Sequence, residues 1–296
     1  MASETGAQPG TATARGTLYI VATPIGNLGD VTLRALEILR AVPLIAAEDT
    51  RHSRRLLERH EVPTRTTSYH ARSDAARTRA LLAHLRGGAD LALVTDAGTP
   101  AVSDPGADLV AAWAAEGGSV VPIPGASAVL AAVAGSGVAG PRWAFEGFLP
   151  RSGRERRQRL ERIADDERGT VVFEAPGRVA ATLVDLAAAC GPDRPAAVCR
   201  ELTKLHESIV RGSLGELAEA ATAGQIPARG EFALVVGGWP AGRPVSVEGE
   251  LDALEAAQAE VERLMVAGTA RGEAARRVAA ATGIPRRQLY GADRVR

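Results

Sequence analysis

The chain has 296 residues, 46% hydrophobic and 24% charged, a composition that buries a full core and leaves room for about two domains of ~150 residues. Lys plus Arg equals Asp plus Glu, 35 each, so no global basic field draws it to polyanions; a nucleic-acid partner must be held by local arginine clusters. Aromatics at 3% argue against a single-strand binder built on stacked rings, and two cysteines, Cys190 and Cys199, are too few and too far apart for a zinc ribbon or a CxxC redox pair.

Residues 1–16 are rich in Ala, Thr and Gly with no basic stretch before an apolar one, so they read as a disordered tail and not a signal peptide. No apolar run approaches the ~18 residues of a spanning helix, and the expectation is a soluble, cytoplasmic protein. From residue 17, short apolar runs alternate with helical stretches. Residues 18–22 (LYIVA) form a strand covered on both faces. Asp30 is placed to cap a helix carrying Leu33, Leu36 and Leu39, stopped near Pro43. The run 44–47 leads through Glu48-Asp49-Thr50 into an arginine-rich helix ending near His60. Ser73 or Asp74 opens the next helix, closed by Gly87-Gly88. A strand at 91–94, a loop at 96–106, a helix stopping at Gly117-Gly118, a strand at 120–123 and a small helix from Ser127 complete a mostly parallel α/β domain, residues 17–140.

A hinge at 135–141 (GSGVAGP) precedes a second α/β domain, residues 141–240. Its strands are placed at 145–149, 171–173, 197–200, around 209–210 and at 232–236, with helices from Gly153 and over 179–189. A Gly/Pro-rich linker at 237–247 leads to a helical segment, 246–296, acidic over 248–262 and basic beyond.

Three glycine-rich loops follow strands in the first half: 23–30 (TPIGNLGD), 96–106 (DAGTPAVSDPG) and 122–128 (PIPGASA). In an open α/β sheet, ligands bind beyond the carboxyl ends of strands, where glycine lets the backbone approach them. One such loop makes a turn and no more; three in successive strand-end positions point to a ligand. The dinucleotide fingerprint GxGxxG is absent, which disfavours a nicotinamide dehydrogenase.

These loops, with AEDTR (47–51), FEGFLP (145–150), FEAPGR (173–178), ELTKLHE (201–207) and GEFALVVGG (230–238), resemble the tetrapyrrole methylase superfamily, the class III S-adenosylmethionine methyltransferases. DAGTP and PGASA carry the superfamily resemblance; ATPIGNLGD, AEDTR and the C-terminal helices point to its rRNA-modifying branch. The resemblance implies two α/β domains with S-adenosylmethionine folded in the cleft between them, a homodimer, and 2′-O-methylation of a decoding-centre cytidine in 16S rRNA of the small ribosomal subunit. Cofactor contacts carried over residue by residue are Pro24, Asp96, Gly98, Thr99, Pro100, Ser103, Asp104, Pro105, Gly106, Pro124, Gly125, Ser127, Ala128, Phe173, Glu174 and Ala175. Two departures stand out: Gly177 where the family pattern has His, and Ser73-Asp74 where it has an Asn-Glu pair.

A ribose hydroxyl is a weak nucleophile, so a base or a field that stabilises the developing alkoxide aids methyl transfer. The catalytic candidates are Lys204, Glu207 and Glu48. Lys204 is the only lysine in a chain that otherwise uses arginine, and a compact ammonium shifts its pKa on burial as a guanidinium cannot. If the stretch is extended, Lys204 and His206 share one face and Glu207 the other. Carboxylates such as Glu48 and Asp49 at a helix start also favour its dipole with no role in a site. His and carboxylates form no spaced ligand cluster, so no metal is expected. For RNA, the candidates are Arg51, the cluster Arg154, Arg156 and Arg157, and Arg276, Arg277, Arg286 and Arg287 in a helix–turn–helix-like pair. Two other readings stay open: a corrin-type or diphthamide-type methylase, and a non-catalytic assembly factor that retains the cleft.

Overall fold

The computed structural model describes residues 15–71, 73, 75–238, 247–282, 284 and 286–290. Residues 1–14 of the expected 1–16 tail, the Asp74 alternative and positions 239–246 of the expected 237–247 linker lie outside the described residues; Gly16 at the tail's end is held in place, its N–H donating to the Leu85 carbonyl at 2.8 Å.

The first sheet comprises β1 (Thr17–Val21), β2 (Ile45–Ala47), β3 (Thr66–Ser68), β4 (Leu91–Val94) and β5 (Ser119–Ile123). Its order is β3-β2-β4-β1-β5, with every pairing parallel. Helices α1 (Leu33–Ala41), α2 (Thr50–Arg59), α3 (Ala75–Arg86) and α4 (Ala107–Ala115) cover its faces. The apolar runs read as two-face strands are buried accordingly: β2 and β4 at every position. Leu36 and Leu39 of α1 pack on one face of the sheet, while Leu81, Leu85, Leu109 and Trp113 of α3 and α4 pack on the other. Removing such side chains from water stabilises by ~1.5–3 kcal/mol each.

Local capping differs from expectation at α1. Thr32, not Asp30, caps it, its Oγ1 accepting the Ala35 N–H at 3.1 Å, while Asp30 ends a short 3₁₀ turn that Asn27 caps. Ser127 caps α5 (Ala128–Ser136) and Asp49 caps α2 through side-chain oxygens, as their placement before the helices implies.

The second sheet comprises β6 (Trp143–Phe148), β7 (Gly169–Glu174), β8 (Pro195–Arg200), β9 (Ser208–Ser213) and β10 (Phe232–Val236), ordered β6-β7-β10-β8-β9. Only the β6–β7 pair is parallel; the three others are antiparallel. Helices α6 (Gly153–Asp165), α7 (Val179–Cys190) and α8 (Leu214–Thr222) bury Leu160, Leu183, Leu186, Leu214 and Leu217 against one face. The opposite face is covered by α5, whose Val129 and Ala132 pack on Val171, Ala197, Cys199 and Ala233. Helix α5 therefore follows the first sheet in sequence but belongs to the core of the second, which welds both sheets into one compact unit ending at Trp239.

The residues from 240 onward form a separate unit. Within it, α9 (Val247–Val266) and α10 (Arg271–Thr282) pack through Ala257, Val261, Ala274, Ala275 and Val278, closed by Leu289 from a 3₁₀ turn over Arg286–Tyr290. Within the described residues, the second limb of the expected helix–turn–helix-like pair is that short 3₁₀ turn and not an α-helix.

Candidate active site

Strand β1 sends its chain towards β2 on one side, and β4 sends its chain towards β5 on the other. The crevice beyond their carboxyl ends is the topological switch point where open α/β sheets bind ligands. The loops after β1 and β4 are joined there by a two-residue bridge, Thr23 and Gly98 exchanging N–H···O bonds of 2.8 and 3.0 Å. The Thr23 hydroxyl donates to the Thr95 carbonyl at 3.1 Å.

Two adjacent cavities of about 410 Å³ each open at this crevice and share Ile25, Ala97 and Glu231 as a common wall. The volume is in the range that encloses a small-molecule ligand. The first cavity runs between the two sheets. On one side it is lined by Gly98, Thr99, Val102, Ser103, Asp104, Ser127, Ala128 and Val129; on the other by Phe148, Phe173–Pro176, Cys199, Leu202 and Gly230–Ala233. The second cavity is bounded by residues 23–26 and Leu28, by His52, Ser53, Arg55, Leu56 and Leu57 of α2, by 94–97, and by Lys204.

Strained backbone concentrates in the two loops that flank these cavities. Of the five described non-glycine residues with positive φ, Ala101 (67°) and Ser103 (62°) lie in the loop after β4, and Glu201 (52°) and Thr203 (66°) in the turn between β8 and β9. Such conformations persist only where the surroundings over-determine them, and they gather at functional sites. Gly98 at φ 82° and Gly230 at φ 90° line the first cavity in backbone geometries that favour glycine.

Electrostatically, the crevice is acidic. Burial pushes the Asp104 carboxyl up to about 6, against a hydrogen bond from the Thr95 hydroxyl at 3.1 Å, with the charges of Glu48 and Asp96 adding to the rise. Burial likewise raises Glu48, whose Oε2 accepts the Asp96 N–H at 3.4 Å. The Cys199 thiol is pushed up to about 11 by burial, so it is an unreactive wall group.

Lys204 is not in an extended segment. It sits in the turn between β8 and β9, where its Nζ donates to Glu201 Oε1 and Glu231 Oε2, both at 2.9 Å. Burial lowers its pKa, but the two carboxylates outweigh that and hold it above the ordinary lysine value. The Pro24 loop leans on it: a Cβ at Gly26 would fall 2.3 Å from Lys204 Cγ. Glu207 lines neither cavity; its carboxylate accepts the Thr203 N–H at 2.6 Å and shapes the turn. Glu48 also lines neither, standing behind Asp96.

Among the sequence-derived cofactor residues, Gly98, Thr99, Ser103, Asp104, Ser127, Ala128, Phe173, Glu174 and Ala175 come together in the first cavity. Pro24 and Asp96 line the second. Pro100, Pro105, Gly106, Pro124 and Gly125 border neither. Glu174 is committed to structure: its buried carboxylate accepts the Ala175 N–H at 2.8 Å and the Thr182 hydroxyl at 2.6 Å, and pairs with Arg178 at 3.2 Å. A side chain at Gly177 would meet open space, so the local fold does not demand glycine there. Sequence reasoning missed Val102, Phe148, Leu202 and the start of β10, which are apolar and indistinguishable from core by pattern.

Among the RNA candidates, Arg156 is corrected. It is 8% exposed, pairs with Asp185 at 2.7 Å, and donates to the Pro150 carbonyl at 2.9 Å and the Thr182 hydroxyl at 3.0 Å. It is a strut between α6 and α7, buried and turned inward, and not a phosphate contact. Arg154 and Arg157 are exposed on α6. Arg51 is exposed and paired with its neighbour Asp49 at 2.8 Å. In the C-terminal unit, Arg276 and Arg277 pair with Glu273, and Arg286 reaches the Gly272 carbonyl at 3.3 Å; the Arg287 side chain lies outside the described residues. Among the described residues, no group of three or more His, Cys, Asp or Glu could hold a metal, and no helix is long and apolar enough to cross a membrane.

The fold of two linked α/β lobes is shared with several solved methyltransferases. A cobalt precorrin-4 methyltransferase superposes with a TM-score of 0.58 at 20% identity, over 75% of this chain and 94% of its own. The uroporphyrin-III C-methyltransferase of Thermus thermophilus, solved with S-adenosylhomocysteine, gives 0.55 at 22%, over 75% and 97%. At these identities the likeness concerns the fold. The chain belongs to the tetrapyrrole (corrin/porphyrin) methylases, whose family model matches residues 17–218. Its similar relatives carry the name ribosomal RNA small subunit methyltransferase I: one from Synechocystis is 48% identical over 93% of this chain and 96% of its own length. Another, from Bacillus subtilis, is 39% identical over 95% of each.

Proposed function

We propose that the protein transfers the methyl group of S-adenosylmethionine to the 2′-hydroxyl of a cytidine in small-subunit (16S) rRNA. The observation that carries this reading is the pair of cavities with one shared wall, in a chain whose relatives are named for small-subunit rRNA methylation. One cavity suits a donor and the next an acceptor.

The first cavity fits the cofactor: apolar walls from Val102, Val129, Phe148 and Phe173, glycine backbone at Gly98 and Gly230, and a few polar groups at Ser103, Asp104 and Ser127. Bound there, S-adenosylmethionine supplies an electrophilic methyl on a positively charged sulfur. The chain's task is to align the acceptor oxygen with that methyl and exclude water. Phe173 stands edge-on to Phe145 and Phe148, with centroids 4.9 and 5.7 Å away, and stiffens one wall. Asp104, with its carboxyl at about 6, is largely ionised at neutral pH and is a stronger base than an ordinary aspartate, suited to take the hydroxyl proton. Glu48 acts from behind by holding the Asp96 backbone. Lys204 braces the Pro24 loop at the rim of the acceptor cavity, with Glu207 holding the turn that presents it. Exposed Arg154 and Arg157 supply phosphate contacts beside the cleft, and the C-terminal unit adds Arg276, Arg277, Arg286 and Arg287. The protein works as a cytoplasmic homodimer on the small ribosomal subunit.

Incubation with methyl-labelled S-adenosylmethionine and, separately, unmethylated small subunits, free rRNA or precorrins tests the reading. Label recovered in 2′-O-methylcytidine is expected; label in a precorrin, or in no acceptor at all, would overturn it.

A further inference from the structure

The second cavity contains polar groups that methyl transfer as such does not use. Its floor is apolar, from Leu39, Leu56, Leu57 and Val94, and suits a flat heterocycle. Ser53 of α2 lines it, is only 6% exposed, and among the described residues its Oγ has no hydrogen-bond partner. A buried hydroxyl without a partner is uncommon and calls for a ligand or a reason. Asp96 lines the same cavity. Its Oδ1 accepts the Asp49 N–H at 3.0 Å, and among the described residues nothing donates to Oδ2. The other carboxylate there, Glu231, is held by Lys204 at 2.9 Å, which also spends the only ammonium on the cavity wall.

The field of this cavity selects its occupant. Asp96 stands close enough to Glu48 and to Asp104 for its charge to raise the proton affinity of both. Arg55 and His52 line the same cavity, so its wall is not purely acidic, but the unused oxygen of Asp96 favours a group that offers N–H donors. Carboxylates characteristically accept from the exocyclic amine of cytosine, and a serine hydroxyl can serve a ring acceptor beside it. Uracil would turn a carbonyl oxygen towards the free Asp96 oxygen and be rejected. Enzymes that act on a nucleotide taken out of its stack read it by hydrogen bonds to this same edge.

Resting on the methyl-transfer reading above, we infer that the second cavity receives the base of the acceptor nucleotide and that Asp96 and Ser53 select cytosine over uracil there. Asp96 thereby belongs to the acceptor side and not to the cofactor.

The test compares wild type, Asp96→Asn and Ser53→Ala on unmethylated small subunits carrying cytidine or uridine at the acceptor position. S-adenosylhomocysteine affinity by calorimetry and Tm are measured alongside. An amide at 96 can turn its NH₂ towards a uracil carbonyl, so the cytidine-to-uridine ratio of kcat/KM is expected to fall roughly ten- to hundredfold in Asp96→Asn, with S-adenosylhomocysteine affinity unchanged. Ser53→Ala is expected to raise KM for the subunit about tenfold, while Tm stays level or rises because no protein partner is lost. Equal loss on both bases, weakened S-adenosylhomocysteine binding in Asp96→Asn, or a lower Tm with unchanged transfer in Ser53→Ala would each overturn the base-reading role. Wild type that methylates neither subunit overturns the underlying function as well; wild type active on cytidine, with variants that keep its base ratio, overturns this inference alone.

Discussion

Arg156 and Arg157 are neighbours in one basic helix, and replacing each by alanine separates a strut from a phosphate contact. Arg156 donates through Nε and Nη2 to Asp185 at 2.8 and 2.7 Å, through Nη1 to the Pro150 carbonyl and through Nη2 to Thr182. Breaking a fully buried pair of this kind costs ~3–5 kcal/mol. The Asp185 side chain is 43% exposed and regains water, which brings the expected loss to about 2–3 kcal/mol, chiefly from stranded acceptors at Pro150 and Glu174–Thr182. In a unit of this size that is a fall in Tm of roughly 5–10 °C. Arg157 is exposed and has no partner among the described residues, so Arg157→Ala should leave Tm within about 1–2 °C. Binding to small subunits measured against salt gives the second readout. Arg157→Ala should reduce the slope of log K against log salt by about one if it covers a phosphate, and Arg156→Ala should leave the slope as it is. A reduced slope with unchanged Tm in Arg156→Ala would refute the assignment.

Lys204→Arg keeps the charge but forces a broader head between Glu201 and Glu231 under Gly26. Because Glu231 is 70% exposed, the pair contributes only ~0–1 kcal/mol to stability, so Tm should barely move while turnover falls about ten- to hundredfold; unchanged methyl transfer would remove the bracing role. Asp104 has a folded-state pKa of about 6, above its ordinary 3.8, so its protonated form stabilises the fold fully below about pH 4, and that contribution is lost as pH rises through 6. The Tm advantage of wild type over Asp104→Asn in the ligand-free protein should therefore shrink between pH 4 and 7, and parallel pH curves would count against a buried carboxylate. Ending the chain after Trp239, where the compact unit closes, should leave S-adenosylhomocysteine affinity unchanged and weaken subunit binding; equal loss of both would make the C-terminal unit structural.

Much of the architecture is legible locally. The apolar runs at β1, β2 and β4 carry no polar alternation because both of their faces are covered, and that pattern alone identifies a parallel sheet layer. Capping residues Asp49 and Ser127 stand immediately before their helices. Two elements escaped for opposite reasons. Strand β3, Thr-Thr-Ser, has no apolar residue and exists because β2 offers it an edge. Helix α8 announced itself through Ser213 and Glu216, which form a reciprocal capping box, but its alanine-rich body resembles the loops around it. The antiparallel pairing of the second sheet was not legible either, since a strand's residues record burial and not the direction of its neighbour.

The site divides in the same way. Glycines and prolines at strand ends are local signals, because only certain residues tolerate the backbone that turns there, and they identified the crevice. Which cavity each loop residue faces is a matter of a few ångströms: Asp104 faces the first and Asp96 the second, although eight positions apart in one loop. Charge composition located the basic helix but could not tell Arg156 from Arg157, because one turn of the side chain inward exchanges water and phosphate for Asp185 and Pro150.

By itself, then, the order of residues determined the alternation of strands and helices, the three loops at the strand ends, and the family to which they belong, since each depends on neighbours within a turn or two. Only the tertiary structure decided that α5 crosses to the second sheet, that Lys204 is clasped between two glutamates, and that a second cavity with an unpartnered Ser53 adjoins the first. Those outcomes depend on residues brought together from distant parts of the chain, and the packing that joins them has no counterpart in local spacing.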